Sequence, residues 1–123
     1  MENDQLTEKI IGFAIEVHRY LGPGLLESAY EECLCYELRQ NGIGFERQVP
    51  LPVVYKAVRL DCGYRIDVVV DRRLILELKS VERLMPIHEA QVLTYMRLGD
   101  LHTGLLLNFN TPLLKEGIRR LML

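Results

Sequence analysis

Apolar spacing divides the chain into elements. From Leu6 to Leu21, the residues Leu6, Ile10, Phe13, Ala14, Val17 and Leu21 recur at helical intervals, with Asn3, Asp4 or Thr7 available as a cap. Gly22-Pro23-Gly24 cannot continue that helix and predicts a tight turn. A second stripe of Leu26, Tyr30, Cys33, Leu34 and Leu38 predicts a helix from Leu26 to Gln40, stopped by Asn41-Gly42. After Gly44 the period shortens. Phe45 to Lys56 is rich in Val and aromatic residues and is broken by Pro50 and Pro52, which suits an edge strand. Tyr64–Val70 and Leu74–Lys79 flank Asp71-Arg72-Arg73 and read as a β-hairpin. Pro86 opens a third helix, Ile87 to Leu98, which ends at Gly99-Asp100. His102–Phe109 is a mostly apolar strand, and Glu116–Leu123 a short final one. The expected fold is α/β, in the order α-α-β-β-β-α-β-β, with a central mixed sheet of four to five strands flanked by helices.

The hairpin carries charges in unusual company. Asp67 interrupts Ile66, Val68, Val69 and Val70, while Glu77 and Lys79 interrupt Leu74, Ile75, Leu76 and Leu78. Strand side chains alternate faces, so Glu77 and Lys79 share one face, and Asp67 shares a face with Val69, opposite Ile66, Val68 and Val70. Residue 72 lies midway between Asp67 and Glu77, and a hairpin folded there sets the two carboxylates opposite each other, about 5 Å apart at Cβ. A one-residue slip would destroy the pairing. An exposed Glu-x-Lys is by itself an ordinary solvated ion pair. Charges inside such apolar strands need another reason.

Two carboxylates held that close repel unless a cation lies between them. Hard oxygen ligands suit Mg²⁺ or Mn²⁺, which keep waters and recruit substrate phosphate oxygens. Such an ion lowers the pKa of a water and stabilises a phosphorane-like transition state, and a lysine beside it can position that water or neutralise a phosphate oxygen. The expected chemistry is hydrolysis of a nucleic-acid phosphodiester.

Bulk properties narrow the setting. A chain of 123 residues, 49% hydrophobic and 26% charged, fits one domain over residues 1–123 with a core that needs no staple. No apolar run approaches the ~20 residues of a membrane span, and the polar start Met1-Glu2-Asn3-Asp4-Gln5 is unlike a signal peptide. Three cysteines without framework spacing point to reduced thiols, and a cytoplasmic protein is the simplest reading. A net charge of −2 argues against a broad electrostatic grip on nucleic acid, leaving room only for a local basic rim around Arg65, Arg72, Arg73, Lys79 and Arg83. His18, His88 and His102 are scattered and read as surface or packing residues; no serine has a histidine base beside it, and no glycine-rich phosphate loop occurs.

Asp67 followed by Glu77-x-Lys79 resembles the signature of the PD-(D/E)xK nuclease superfamily, with Ile66 in the place of the signature's proline. Gln91-x-x-x-Tyr95 looks like the QxxxY motif of its RecB-like and lambda-exonuclease-like branch, and Gly24-x-x-Glu27-x-x-Tyr30 is similar to the motif of the small GxxExxY proteins. The resemblance extends from the first helix to Asn108-Phe109. It implies a restriction-endonuclease-like core with Asp67, Glu77 and Lys79 as catalytic residues. Glu27 would be a further catalytic and metal-ligating acid beside Asp67 and Glu77, although the helix dipole alone would also favour a carboxylate there. Gln91 and Tyr95, one helical turn apart, and Tyr30 would face substrate, with ordinary helix packing as the competing account. The implied function is a Mg²⁺- or Mn²⁺-dependent nuclease acting on DNA. The rival is a catalytically silent nuclease-like module that binds nucleic acid or a partner protein. A chain this close to the minimum for its fold would gain from forming a homodimer, which would pair two sites across a duplex.

Overall fold

A computed structural model describes residues 1–123. Two helices come first, α1 (Asn3–Leu21) and α2 (Glu27–Gln40), followed by β1 (Phe45–Pro50), β2 (Val53–Tyr55) and β3 (Val58–Leu60). The remainder runs β4 (Arg65–Val70), β5 (Leu74–Lys79), α3 (Pro86–Gly99), β6 (Thr103–Asn108), a 3₁₀ turn (Leu114–Gly117) and β7 (Ile118–Met122). Five strands form one sheet in the order β1-β4-β5-β6-β7, in which only the β5/β6 pair is parallel. Helix α3 makes the connection that such a parallel pair requires.

Period-two alternation sorts the sheet into two packed layers. Leu74, Leu76 and Leu78 of β5, with Leu105 and Leu107 of β6, meet Leu6, Ile10, Ala14, Leu34 and Leu38 from α1 and α2. Ile75 and Leu106 point the other way and pack with Val92, Tyr95 and Met96 of α3. The apolar run Leu105–Leu107 of β6 is thus explained, because every residue of that strand is buried. This is the helix-flanked, mixed-sheet architecture of a restriction-endonuclease-like core.

Three details depart from the sequence reading. Phe45–Lys56 is not one edge strand: β1 ends at Pro50, and Val53–Tyr55 pairs instead with Val58–Leu60 in a separate two-stranded sheet. Pro50 and Pro52 explain the break, since neither can donate to a continuing ladder. The cap of helix α1 is Glu2, one residue before the first of the proposed caps, and its N–H donates to Gln5 Oε1 at 3.1 Å. Asn3 turns away to link Thr103 and Arg73. Ile66 packs with Val69 and Ile75 on the α3 side, not with Val68 and Val70, so alternation along β4 breaks at Asp67.

Beside the end of β6 the chain passes very close to itself. A Cβ added at Gly117 would lie 2.2 Å from the backbone oxygen of Asn108. Gly117→Ala is therefore expected to force the 3₁₀ turn away from β6 and cost at least about 1–3 kcal/mol. Urea denaturation would register this as a lower midpoint with an unchanged slope, and an unaltered midpoint would contradict the contact.

Candidate active site

The β4–β5 hairpin fixes the central geometry. Its turn closes through Arg73 N–H to Val70 O at 3.1 Å, with Asp71 and Arg72 both at positive φ, as the twist of a tight hairpin demands. The ladder pairs Val70 with Leu74, Val69 with Ile75 and Val68 with Leu76. Continued by one step, that register sets Asp67 opposite Glu77, as a turn centred on residue 72 requires.

At this step side chains replace the backbone ladder. Asp67 N–H donates to Glu77 Oε1 at 3.2 Å, and Leu78 N–H donates to Asp67 Oδ2 at 2.9 Å. On the other flank of β4, the β1 ladder pairs Arg47 with Val68 and Val49 with Ile66 but skips Gln48 opposite Asp67; Gln48 itself has φ of 50°. Asp67 therefore occupies a gap between both neighbouring strands, where its carboxylate has space that a regular sheet would deny.

Glu77 is only 3% exposed, while Asp67 is half-buried. Neither carboxylate belongs to any ion pair of the structure. Burial, reinforced by the Asp67 charge beside it, pushes the Glu77 carboxyl up to about 9. Two adjacent oxygen-rich side chains outside any ion pair fit a hard divalent cation such as Mg²⁺ or Mn²⁺. Lys79 lies two residues beyond Glu77 on the same strand, and its Nζ donates to Gln91 Oε1 at 3.2 Å. Gln91 Nε2 in turn donates to the Tyr95 hydroxyl at 3.2 Å. The two α3 residues thus extend a polar chain from the lysine, and Lys79, Gln91 and Tyr95 share the wall of one cleft of about 740 Å³.

Two expected participants lie elsewhere. Glu27 is exposed at the first turn of α2, and no group of three or more His, Cys, Asp or Glu side chains comes together in the chain. The Glu27, Asp67 and Glu77 carboxylates are therefore not gathered into one cluster. The loop ahead of α2 does reach the end of β5, where Ser80 Oγ donates to Leu25 O at 2.7 Å. Tyr30 is 0% exposed, which corrects the expectation that it faces substrate. Its hydroxyl donates to Gly22 O at 2.6 Å and accepts from Leu25 N–H at 3.1 Å, while its ring stacks on Phe109 with centroids 4.4 Å apart. Tyr30 ties the α1–α2 turn to the core and so positions the loop that leads into Glu27 at the start of α2.

Asn108 was not anticipated. It pairs with Lys79 across the β5/β6 ladder, and its buried amide takes both polar groups of Val81, the N–H and the C=O each at 3.0 Å. This clamp fixes the chain as it leaves Lys79. The available signal was an amide closing a mostly apolar strand. The histidines behave as packing and surface groups: His18 is buried against Thr111 O, His88 Nδ1 accepts from Met85 N–H at the start of α3, and His102 is exposed.

A helix-flanked sheet with an acidic pair where two central strands part, and a lysine just beyond, defines a nuclease-type protein. The chain matches the family model of the PD-(D/E)XK nuclease superfamily over residues 4–121, and it belongs to that superfamily. No curated protein and no solved structure matches it.

An acid whose pKa is higher in the folded state takes up a proton on folding, so its contribution to stability is lost as pH rises from the unfolded value to the folded one. For Glu77 that window runs from about 4.5 to about 9. With EDTA present, wild-type stability is expected to fall across it by up to about 1.4 kcal/mol per pH unit. Glu77→Gln should remove this slope. Denaturant midpoints at pH 5 and pH 8 test it, and equal slopes in the two proteins would rule out a neutral, buried Glu77.

Proposed function

We propose that the protein is a Mg²⁺- or Mn²⁺-dependent nuclease that hydrolyses phosphodiester bonds of DNA. One observation carries the reading: Asp67 and Glu77 meet without a counter-ion where the hairpin ladder breaks, with Lys79 on the next like-facing position of β5. Asp67 and Glu77 would hold the ion, which when bound supplies a Lewis acid for the scissile phosphate and a more acidic water. Glu77 must give up its proton for this, and the neighbouring charge of Asp67 then requires the cation.

Lys79 supplies the remaining positive charge. Its hydrogen bond to Gln91, itself bonded to Tyr95, restrains a long and flexible side chain before substrate arrives. From there the ammonium can bind a phosphate oxygen or orient the attacking water, whose oxygen forms the new P–O bond as the bond to the leaving strand breaks. The Gln91/Tyr95 pair is the feature that resembles the RecB-like branch of the superfamily, and its place in the same cleft as Lys79 supports a part in holding the strand. Glu27, in the first turn of α2 just after a loop tied to Ser80, would act as a third acid once phosphate and cation are bound.

The separation of Glu27 from the acidic pair also favours a second reading, a nuclease-like module that binds DNA without cutting it. A cleavage assay on single-stranded DNA, duplex DNA and RNA separates the two. Cutting should require Mg²⁺ or Mn²⁺, stop with EDTA, and fall by about 10²–10⁴-fold in Lys79→Ala. Metal-independent or undiminished cutting in that variant would sink the assignment, and no cutting of any substrate would leave the binding module.

A further inference from the structure

The cleft that Lys79, Gln91 and Tyr95 share with Tyr64 is lined by neither acid of the pair, and its chemistry is uneven. Lys79 and Arg97 are its cations, Ile87 and Leu98 supply apolar wall, and no acidic side chain lines it. That is unusual on a chain whose net charge is −2. Tyr64 stands between β3 and β4 with 46% of its surface exposed, its ring tilted at 59° to that of Tyr95 with centroids 6.1 Å apart. Its backbone oxygen accepts from Leu51 N–H at 2.9 Å, so the base of the β2–β3 hairpin fixes where the ring stands.

We propose that this cleft holds an unpaired stretch of DNA strand, with one base stacked on the exposed face of Tyr64 and its backbone directed toward Lys79. The inference rests on the nuclease reading for its choice of nucleic acid. A protein that grips duplex DNA neutralises many phosphates over a broad basic surface of about 1,000–2,500 Å². This chain is acidic overall, and Lys79 and Arg97 line a cleft of about 740 Å³ that carries no acidic side chain, a size suited to a small-molecule-sized group. Single strands are bound differently, by a cationic path joined to an aromatic platform on which a free base can stack. Tyr64 provides the platform, Lys79 and Arg97 the path, and Ile87 and Leu98 the apolar wall that a base but not a phosphate would seek.

The test is fluorescence anisotropy of the full chain with a labelled dT12 oligonucleotide and a labelled 12-base-pair duplex, in EDTA so that turnover is not required. The strand should bind more tightly than the duplex. Tyr64→Ala should weaken strand binding by about 5- to 150-fold, the range for losing one stacked base, and leave duplex binding unchanged. Tyr64→Trp keeps a platform and should retain strand binding, which separates stacking from a general loss of structure. Duplex binding equal to or tighter than strand binding, or strand binding indifferent to Tyr64→Ala, overturns the proposal. Strand preference that depends on Tyr64 in a protein that cuts nothing upholds it while the nuclease reading falls. Metal-dependent cutting of duplex alone, unaffected by Tyr64→Ala, does the reverse.

Discussion

The structure turns on an exchange of hydrogen bonds at one step of the central hairpin. Where the ladder would next pair Asp67 with Glu77 through their backbones, Glu77 Oε1 takes the Asp67 N–H and Asp67 Oδ2 takes the Leu78 N–H. Buried backbone groups must be satisfied, and here the two carboxylates do that work. The consequence is local and severe. Two acids that water would otherwise separate are locked to opposite strands, one of them buried, and neither is in an ion pair.

The rest of the fold keeps that step in place. Leu76 and Leu78 anchor β5 under α1 and α2 while Ile75 anchors it under α3, so the strand can neither slide nor rotate. The parallel β6 strand brings Asn108 beside Lys79, where it clamps the departing chain at Val81. Tyr30 performs the corresponding service for the α1–α2 turn. Polar groups buried away from the acidic pair thus hold the elements that carry its neighbours. A third such group is Glu31, which accepts from Arg47 at 2.8 and 3.0 Å and from Gln48 at 3.0 Å, fastening α2 to the edge strand opposite Asp67.

Much of this was legible in the sequence because hydrophobic periodicity and hairpin register are local rules. The spacing of Asp67 and Glu77 about residue 72 anticipated the observed ladder, and the stripes of Leu6–Leu21 and Leu26–Leu38 anticipated the helices that cover one layer. What escaped was non-local. The β2–β3 hairpin is built from exposed, three-residue strands whose pattern merges with that of β1. The burial of Tyr30 depends on Phe109, far along the chain. Helical spacing placed Tyr30 on the apolar stripe, yet its motif suggested substrate, and packing decided between them. The reach of Glu27 likewise depends on where the loop ahead of α2 meets the end of β5, which no spacing rule specifies.

As the hairpin arranges them, Asp67 and Glu77 would together form a divalent-cation site. Its most direct test is the binding of Mn²⁺, followed through the EPR signal of the free ion, in wild type and in the Asp67→Asn/Glu77→Gln double variant at the same pH. The account predicts that wild type removes Mn²⁺ from the free pool and that the folded double variant does not. Equal binding by both proteins, or none by wild type, would contradict it.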